Sequence, residues 1–348
     1  MKRKVIQKVL VGLLCVSMLG IIITGCNKET PAEETNTTDE GTTEAVADEG
    51  AEAGEGGIIA LSLSQTDTFL ATLRDATQAA VEAAGYEFQV QDAQKDQQMQ
   101  ITNIQKYAAD PNVKAIIICP KEATAAAQMV EAAGGKPVVF VNRQPDEADL
   151  VEGKVVFAGS DEVVAGETQG AWLAKHFADK ADKTIKVGLL LGELGHPGTI
   201  GRTAGFQQVL KEAGFTVEIV NGGGEGQTGN WDRKEGQNLT DQILLNYPDV
   251  DVIVANNDDM ALGAVEAIQN AGKTTEEIPV VGVDATDPGI ESLKAGGLSM
   301  TVFQDAVGQG NEAVKCAIAM INGENVPKLN YVPFIEVSAD SDEAGLLK

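Results

Sequence analysis

Asn256, Asn257, Asp258 and Asp259 stand in a row between an apolar run, Val-Ile-Val-Ala (252–255), and a helical pattern that opens at Met260. In an open α/β sheet, ligands bind beyond the carboxyl ends of the strands, where such a turn lies. Asp258 is expected to cap the helix by accepting from its free backbone N–H groups. One cap leaves the other three polar residues without a purpose. Neutral amides beside carboxylates donate and accept together, which suits a ligand rich in hydroxyls. A phosphate would call for glycines and a lysine instead.

The elements that must position this turn are legible along residues 58–303. Apolar runs of strand length occupy 58–63, 115–119, 137–141, 155–158, 186–191, 250–255, 278–283 and 300–303. Amphipathic stretches lie between them, such as the one beginning at Thr68 and closing on Gly85. Strands alternating with helices imply an α/β fold with parallel sheets covered on both faces. The pattern divides into two such sheets, with short crossings near Gly159, Gln304 and Val332. The expected division is 58–160 plus 305–332 for one lobe and 161–304 plus 333–348 for the other.

With 348 residues the chain holds two domains of ordinary size. Its net charge of −26 excludes the basic face that nucleic-acid binding needs. The first 25 residues read as a signal segment: a basic start, Met-Lys-Arg-Lys, then an apolar run from Val9 to Ile23. Ile23-Thr24-Gly25-Cys26 resembles the lipobox of bacterial lipoproteins, so Cys26 is expected to carry the lipid. Acyl chains contribute roughly 0.8 kcal/mol per buried CH₂, so several of them hold a protein at a membrane surface. The remaining tether, through residue 57, carries ten Asp or Glu against one Lys and almost nothing apolar. It buries too little to offset its ordering entropy and is expected to be a disordered spacer. Cys119 closes an apolar strand and Cys316 sits in a helical pattern, so both read as separate buried thiols.

Several segments together resemble the periplasmic sugar-binding proteins of ABC transporters (type I), in particular the galactose/glucose-binding proteins. They include D-T-F-L-A-T-L-R (67–74), Q-D-A-Q-K-D-Q (91–97), P-V-V-F-V-N-R-Q-P (137–145) and Q-G-A-W-L-A-K-H (169–176). The series continues with L-L-G-E-L-G-H-P-G-T-I-G-R-T (190–203), N-W-D (230–232), A-N-N-D-D-M-A-L-G-A-V-E-A (255–267) and P-V-V-G-V-D-A (279–285). The resemblance implies two Rossmann-like lobes joined by a three-segment hinge, with a sugar held in the cleft. It assigns Asp67, Phe69 and Asn142 to one wall. His196, Arg202, Trp231, Asn257 and Asp284 fall on the other, with Gln304 at a crossing.

The chemistry of these residues agrees with that assignment. Asp67, Asn142, Asn257 and Asp284 each stand at or just past a strand end, and charge-assisted bonds contribute roughly 1.5–3 kcal/mol apiece. Arg202 offers planar donors, and Phe69 and Trp231 are suited to the apolar C–H faces of a sugar ring. Each residue also has a plain structural reading. Phe69 can be helical core, Asp67 a helix cap, Asn142 a turn residue, and His196 loop, whereas Trp231 follows a Gly-rich loop and looks less core-like.

Three positions depart from the galactose/glucose pattern. Gly198 replaces an aspartate that contacts the anomeric hydroxyl in the family, which implies open space there. Gln304 replaces an asparagine, and Arg143 replaces a lysine. The family's calcium loop is not reproduced at 179–183, so no metal is expected, and no cofactor.

Four functions compete at this point. A glycosidase would use Asp67 and Asp284 as its carboxylate pair. A transcriptional regulator would need a helix-turn-helix where the signal segment lies. A sensory co-receptor would bind without transport. The favoured expectation is a monomeric, non-enzymatic lipoprotein on the outer face of a bacterial cell membrane, delivering an aldohexose such as galactose or glucose to ABC permease subunits. A pentose or a 1-substituted sugar is the alternative ligand.

Overall fold

The computed structural model describes residues 56–347. The expected signal segment (1–25), Cys26 and the tether up to residue 55 lie outside them. Among the described residues no helix is long and apolar enough to cross a membrane.

The chain alternates strand and helix as its apolar pattern requires. In order it forms β1 (Ile58–Leu63), α1 (Thr68–Ala83), β2 (Glu87–Asp92), α2 (Gln97–Ala109), β3 (Val113–Ile118), α3 (Ala126–Ala132), β4 (Val138–Val141) and β5 (Val155–Gly159). Next come α4 (Glu162–His176), β6 (Thr184–Leu191), α5 (Pro197–Glu212), β7 (Thr216–Ile219), β8 (Gln227–Thr228), α6 (Arg233–Asn246), β9 (Val252–Ala255), α7 (Asp258–Asn270) and β10 (Val280–Val281). The last elements are α8 (Asp287–Lys294), β11 (Met300–Gln304), α9 (Ala306–Ile321), β12 (Leu329–Tyr331), β13 (Phe334–Ser338) and β14 (Ser341–Asp342).

These strands make two sheets. The first has the order β12-β5-β4-β3-β1-β2 and is parallel throughout. The second runs β14-β13-β11-β10-β9-β6-β7, with β8 added beside β6. Each sheet is buried on both faces. Apolar residues of α1 and α9 cover one face of the first sheet, and those of α2 and α3 cover the other. In the second, α6 and α7 cover one face and α4 and α5 the opposite one. This double cover explains why β3 is a run of isoleucines: burying each side chain contributes roughly 1.5–3 kcal/mol.

The chain passes between sheets after β5, after β11 and between β12 and β13. One expectation needs correction, because the second sheet is not wholly parallel: β13 runs antiparallel to β11 and to β14. The reason is the path. β12 runs parallel in the first sheet toward the ends facing the second, so the short crossing delivers β13 into the second sheet from the side where its other strands finish.

Candidate ligand-binding site

The carboxyl ends of the two sheets face one another across a cavity. It is lined by Asp67, Phe69, Leu70, Asn142, Arg143, His196, Arg202, Trp231, Asn257, Asp259, Asp284 and Gln304. All nine ligand-contact residues expected from the sequence are therefore brought together. The space free of protein atoms is about 410 Å³, part of it open to solvent.

Asp67 and Phe69 come from the turn between β1 and α1. Asp67 is the N-cap of α1: one carboxylate oxygen accepts from the N–H of Leu70 at 2.8 Å, and the other accepts from Gln65 at 3.0 Å. Phe69, partly exposed, packs against the first lobe's core while lining the cavity. Asn142 directly follows β4 with φ 64°, a left-handed conformation that Asn tolerates better than most residues. Beside it, Arg143 is buried with no carboxylate partner among the described residues. One terminal nitrogen donates to the carbonyls of Pro120 and Lys121, at 3.2 and 3.3 Å, and Nε has no partner.

The opposite wall is organised by Arg202 on the first turns of α5. Its Nε donates to Glu162 at 2.7 Å, and Nη1 to the carbonyl of Asn256 at 2.6 Å. Nη1 also lies 3.5 Å from Asp284, and Nη2 donates to Gln304 at 3.1 Å. Burial works against the charge, but Glu162 and Asp284 outweigh it and hold the guanidinium more firmly protonated than usual. Helices α4 and α5 must approach closely for this pairing. A Cβ at Gly166 would lie 2.1 Å from the carbonyl oxygen of Arg202, so only glycine fits there. Glu162 escaped the sequence reading. The signal for it was the need of a buried arginine for a partner, which no local spacing reveals.

Asp284 has φ 119° and is nearly buried. Its carboxyl is raised well above the usual range by burial, with Asp258, Asp67 and Asp259 adding to the rise and Arg202 opposing it. Trp231, at φ 67°, stacks over Gly192 so closely that a Cβ there would lie 2.1 Å from the ring. It belongs to the second lobe's core as well as to the cavity, so it is more core-like than its loop suggested. Its Nε1 is buried without a partner, as is Nε2 of Gln304. His196 is the N-cap of α5, its Nδ1 accepting from Gly198 N–H at 2.9 Å, which leaves the proton on Nε2. Burial, then the charges of Arg143, Arg202 and Lys121, hold the imidazole well below its ordinary pKa, so it is neutral.

Two expectations at this wall are corrected. Asn257, not Asp258, caps α7: its side-chain oxygen accepts from Met260 N–H at 3.1 Å while the residue also lines the cavity. Asp258 is fully buried behind it, accepting from Thr301 at 2.7 Å and from Thr286 N–H at 2.9 Å, with burial raising its carboxyl to about 7. In a run of four polar residues, the one in extended conformation takes the cap, and a shift of one position decides which. Second, Gly198 does not line the cavity. A Cβ there would meet the His196 ring at 3.1 Å, so the glycine accommodates the cap and opens no space beside a ligand. Asp259, which the sequence reading left without a role, lines the cavity and accepts from Thr68 across the cleft at 3.0 Å.

Cys119 and Cys316 are free and buried. Among the described residues no group of three His, Cys, Asp or Glu could hold a metal ion.

The family pattern described as a periplasmic binding protein domain matches residues 59–325, most of the chain. The ribose import binding protein RbsB of Salmonella typhimurium is 32% identical over 271 residues, covering 77% of this chain and 86% of that protein. The chain belongs to the type I periplasmic sugar-binding proteins of ABC transporters. A putative rhizopine-binding protein of Rhizobium meliloti is 35% identical over 253 residues, covering 72% of this binding protein and 79% of the relative. Among solved structures, an ABC transporter solute binding protein from Bacillus halodurans with bound myo-inositol superposes with a TM-score of 0.74. It is 34% identical, and the match covers 84% of this chain and 97% of that one. None of the three is named for galactose or glucose.

Proposed function

We propose that this chain is the ligand-capturing subunit of an ABC importer for a compact ring polyol, of the pentose or inositol kind, held by closure of the two lobes. One observation carries the reading. Two carboxylates, Asp67 and Asp284, and three buried donors without partners, on Arg143, Trp231 and Gln304, meet in one cavity lined by the aromatic rings Phe69 and Trp231. A polyol supplies hydroxyl donors to the carboxylates, hydroxyl acceptors to the free N–H groups, and apolar C–H faces to the rings. The relatives are named as binding proteins.

An aldohexose is the less favoured ligand within this class. The relatives of higher identity are named for ribose and rhizopine, and a similar structure holds myo-inositol. A 1-substituted sugar is also less favoured, because Gly198 lies outside the cavity. The nine expected contacts are proposed to act with Arg143 and Asp259, the crossings after Gly159, at Gln304 and at Val332 serving as the hinge. The same reading places the protein outside the cytoplasm, tethered through a lipid on Cys26 and acting as a monomer. Cys26→Ser is expected to move it from the membrane fraction to the soluble one.

A thermal-shift panel of myo-inositol, D-ribose, D-xylose, D-galactose and D-glucose tests the ligand class. A ligand at a hundredfold excess over its Kd stabilises by about 2.7 kcal/mol. The expected order places myo-inositol or a pentose above both hexoses. A largest shift with galactose or glucose would restore the aldohexose reading, and no shift with any of the five would remove the class.

A further inference from the structure

Lys121 and Glu193 form an ion pair whose halves belong to different lobes. The ammonium of Lys121 donates to Glu193 at 2.9 Å, and the side chains are 19% and 14% exposed. Lys121 lies on the turn after β3, and Glu193 on the turn after β6. Neither lines the ligand cavity. They line a second space that shares Arg143 and His196 with it, so the pair spans an opening adjoining the ligand.

Strand order gives this contact its leverage. The crossings leave from β5, β11 and β12, at one side of each sheet, whereas β6 is three strands from β11 and β3 is two from β5. At ~4.8 Å per strand, Glu193 sits ~14 Å from the crossings, so a hinge rotation of ~20° carries it ~5 Å and breaks the pair. Both halves are also fixed to the ligand site. Arg143 donates to the carbonyls of Pro120 and Lys121, and the buried Gln100 accepts from Lys121 N–H at 2.7 Å. On the other side, the carbonyl of Glu193 accepts from the N–H of His196 at 3.2 Å. Other ion pairs of similar length among the described residues, such as Lys175–Asp340 and Lys180–Asp251, both at 2.9 Å, lie within one lobe.

We infer that Lys121 and Glu193 are an interlobe latch, a positioning pair that touches no ligand but holds the cleft shut over it and sets its rate of escape. This rests on the reading of the cavity as a polyol site. The latch forms after the ligand has entered, so it acts on dissociation and leaves association almost unchanged.

The test follows ligand release by stopped-flow tryptophan fluorescence, with myo-inositol and D-ribose as probes. In Lys121→Gln and in Glu193→Gln the dissociation rate is expected to rise roughly three- to tenfold, and the association rate to stay within roughly twofold. The double variant should be no worse than either single one, and the swap Lys121→Glu with Glu193→Lys should recover much of the loss. Unchanged dissociation rates, or fully additive losses, would overturn the latch. Failure of both probes to bind wild-type protein removes the polyol reading instead, and the latch is then judged without a ligand. Lys121→Cys with Glu193→Cys in the full chain should form a disulfide under mild oxidation much faster than Lys121→Cys with Glu225→Cys. Equal rates would overturn it.

Discussion

The two walls of the cavity are built by different means. On the first lobe, Asp67 is held by a helix cap and Asn142, separately, by one contact to Gln309 of α9 at 3.4 Å. Asp67 and Phe69 remain partly exposed. On the second lobe a single buried cation, Arg202, ties together Glu162, Asn256, Asp284 and Gln304, which come from four separate parts of the chain. Trp231 lies beside it, with the guanidinium 5.8 Å from the ring centre. One wall is a set of separately fixed residues, and the other is a network whose charges depend on one another. Such a contrast suits a receptor in which the second lobe presents a rigid platform and the first closes on it.

The contrast breaks most visibly at Arg202. Arg202→Ala strands Glu162 and Asp284 as buried carboxylates, so it should destabilise the ligand-free protein by about 3–5 kcal/mol and abolish binding. For a protein of this size that lowers Tm by roughly 6–15 °C, read by calorimetry. Asp67→Ala, on the opposite wall, removes a cap and should lower stability by only ~1 kcal/mol. Equal losses from the two variants would erase the distinction between the walls.

Asp284→Asn separates charge from shape. In the proposed site this carboxylate accepts ligand hydroxyls, so affinity should fall roughly 10- to 100-fold. Stability should move the other way. Asp258 and Asp284 are both raised above their unfolded values, so their contribution to stability is present at low pH and is lost as pH rises through their folded pKa values. His196 is lowered, so its contribution is lost only as pH falls below about 6.5. Between pH 6.5 and 8 the carboxyl effect therefore stands alone. Ligand-free wild-type protein should lose Tm across that interval, and Asp284→Asn should lose less. Parallel Tm curves would show that Asp284 carries no such burden.

The aromatic pair sharpens the same comparison at a smaller scale. Trp231 is 8% exposed and belongs to the core, so Trp231→Ala should lower both stability, by about 3–5 kcal/mol, and affinity. Phe69→Ala should weaken binding roughly tenfold with a much smaller change in Tm. Titration and melting of the two variants side by side check this, and matching Tm losses would contradict it.

Much of this arrangement was legible in the amino-acid order, and the exceptions have physical causes. Buried strands such as β3 and β4 are unbroken apolar runs. The edge strands β2 and β7 escaped because half of each faces solvent and reads as polar sequence. The site residues at strand ends stood out because a polar residue after an apolar run has few structural uses. Glu162 and Asp259 did not, since their roles arise only when distant segments meet. Asn257 and Asp258 exchanged parts because the cap is decided by one backbone conformation at a single position. Gly198 was read as a gap beside the ligand, whereas it is filled space behind a histidine ring.

Isothermal titration of wild-type protein and Asp284→Asn with myo-inositol and with D-ribose tests the central claim most directly. One site per chain with at least one of the two ligands is expected, and a loss of roughly 10- to 100-fold in affinity in the variant. Absence of binding heat with both ligands, or a variant that binds as tightly as wild type, would contradict it.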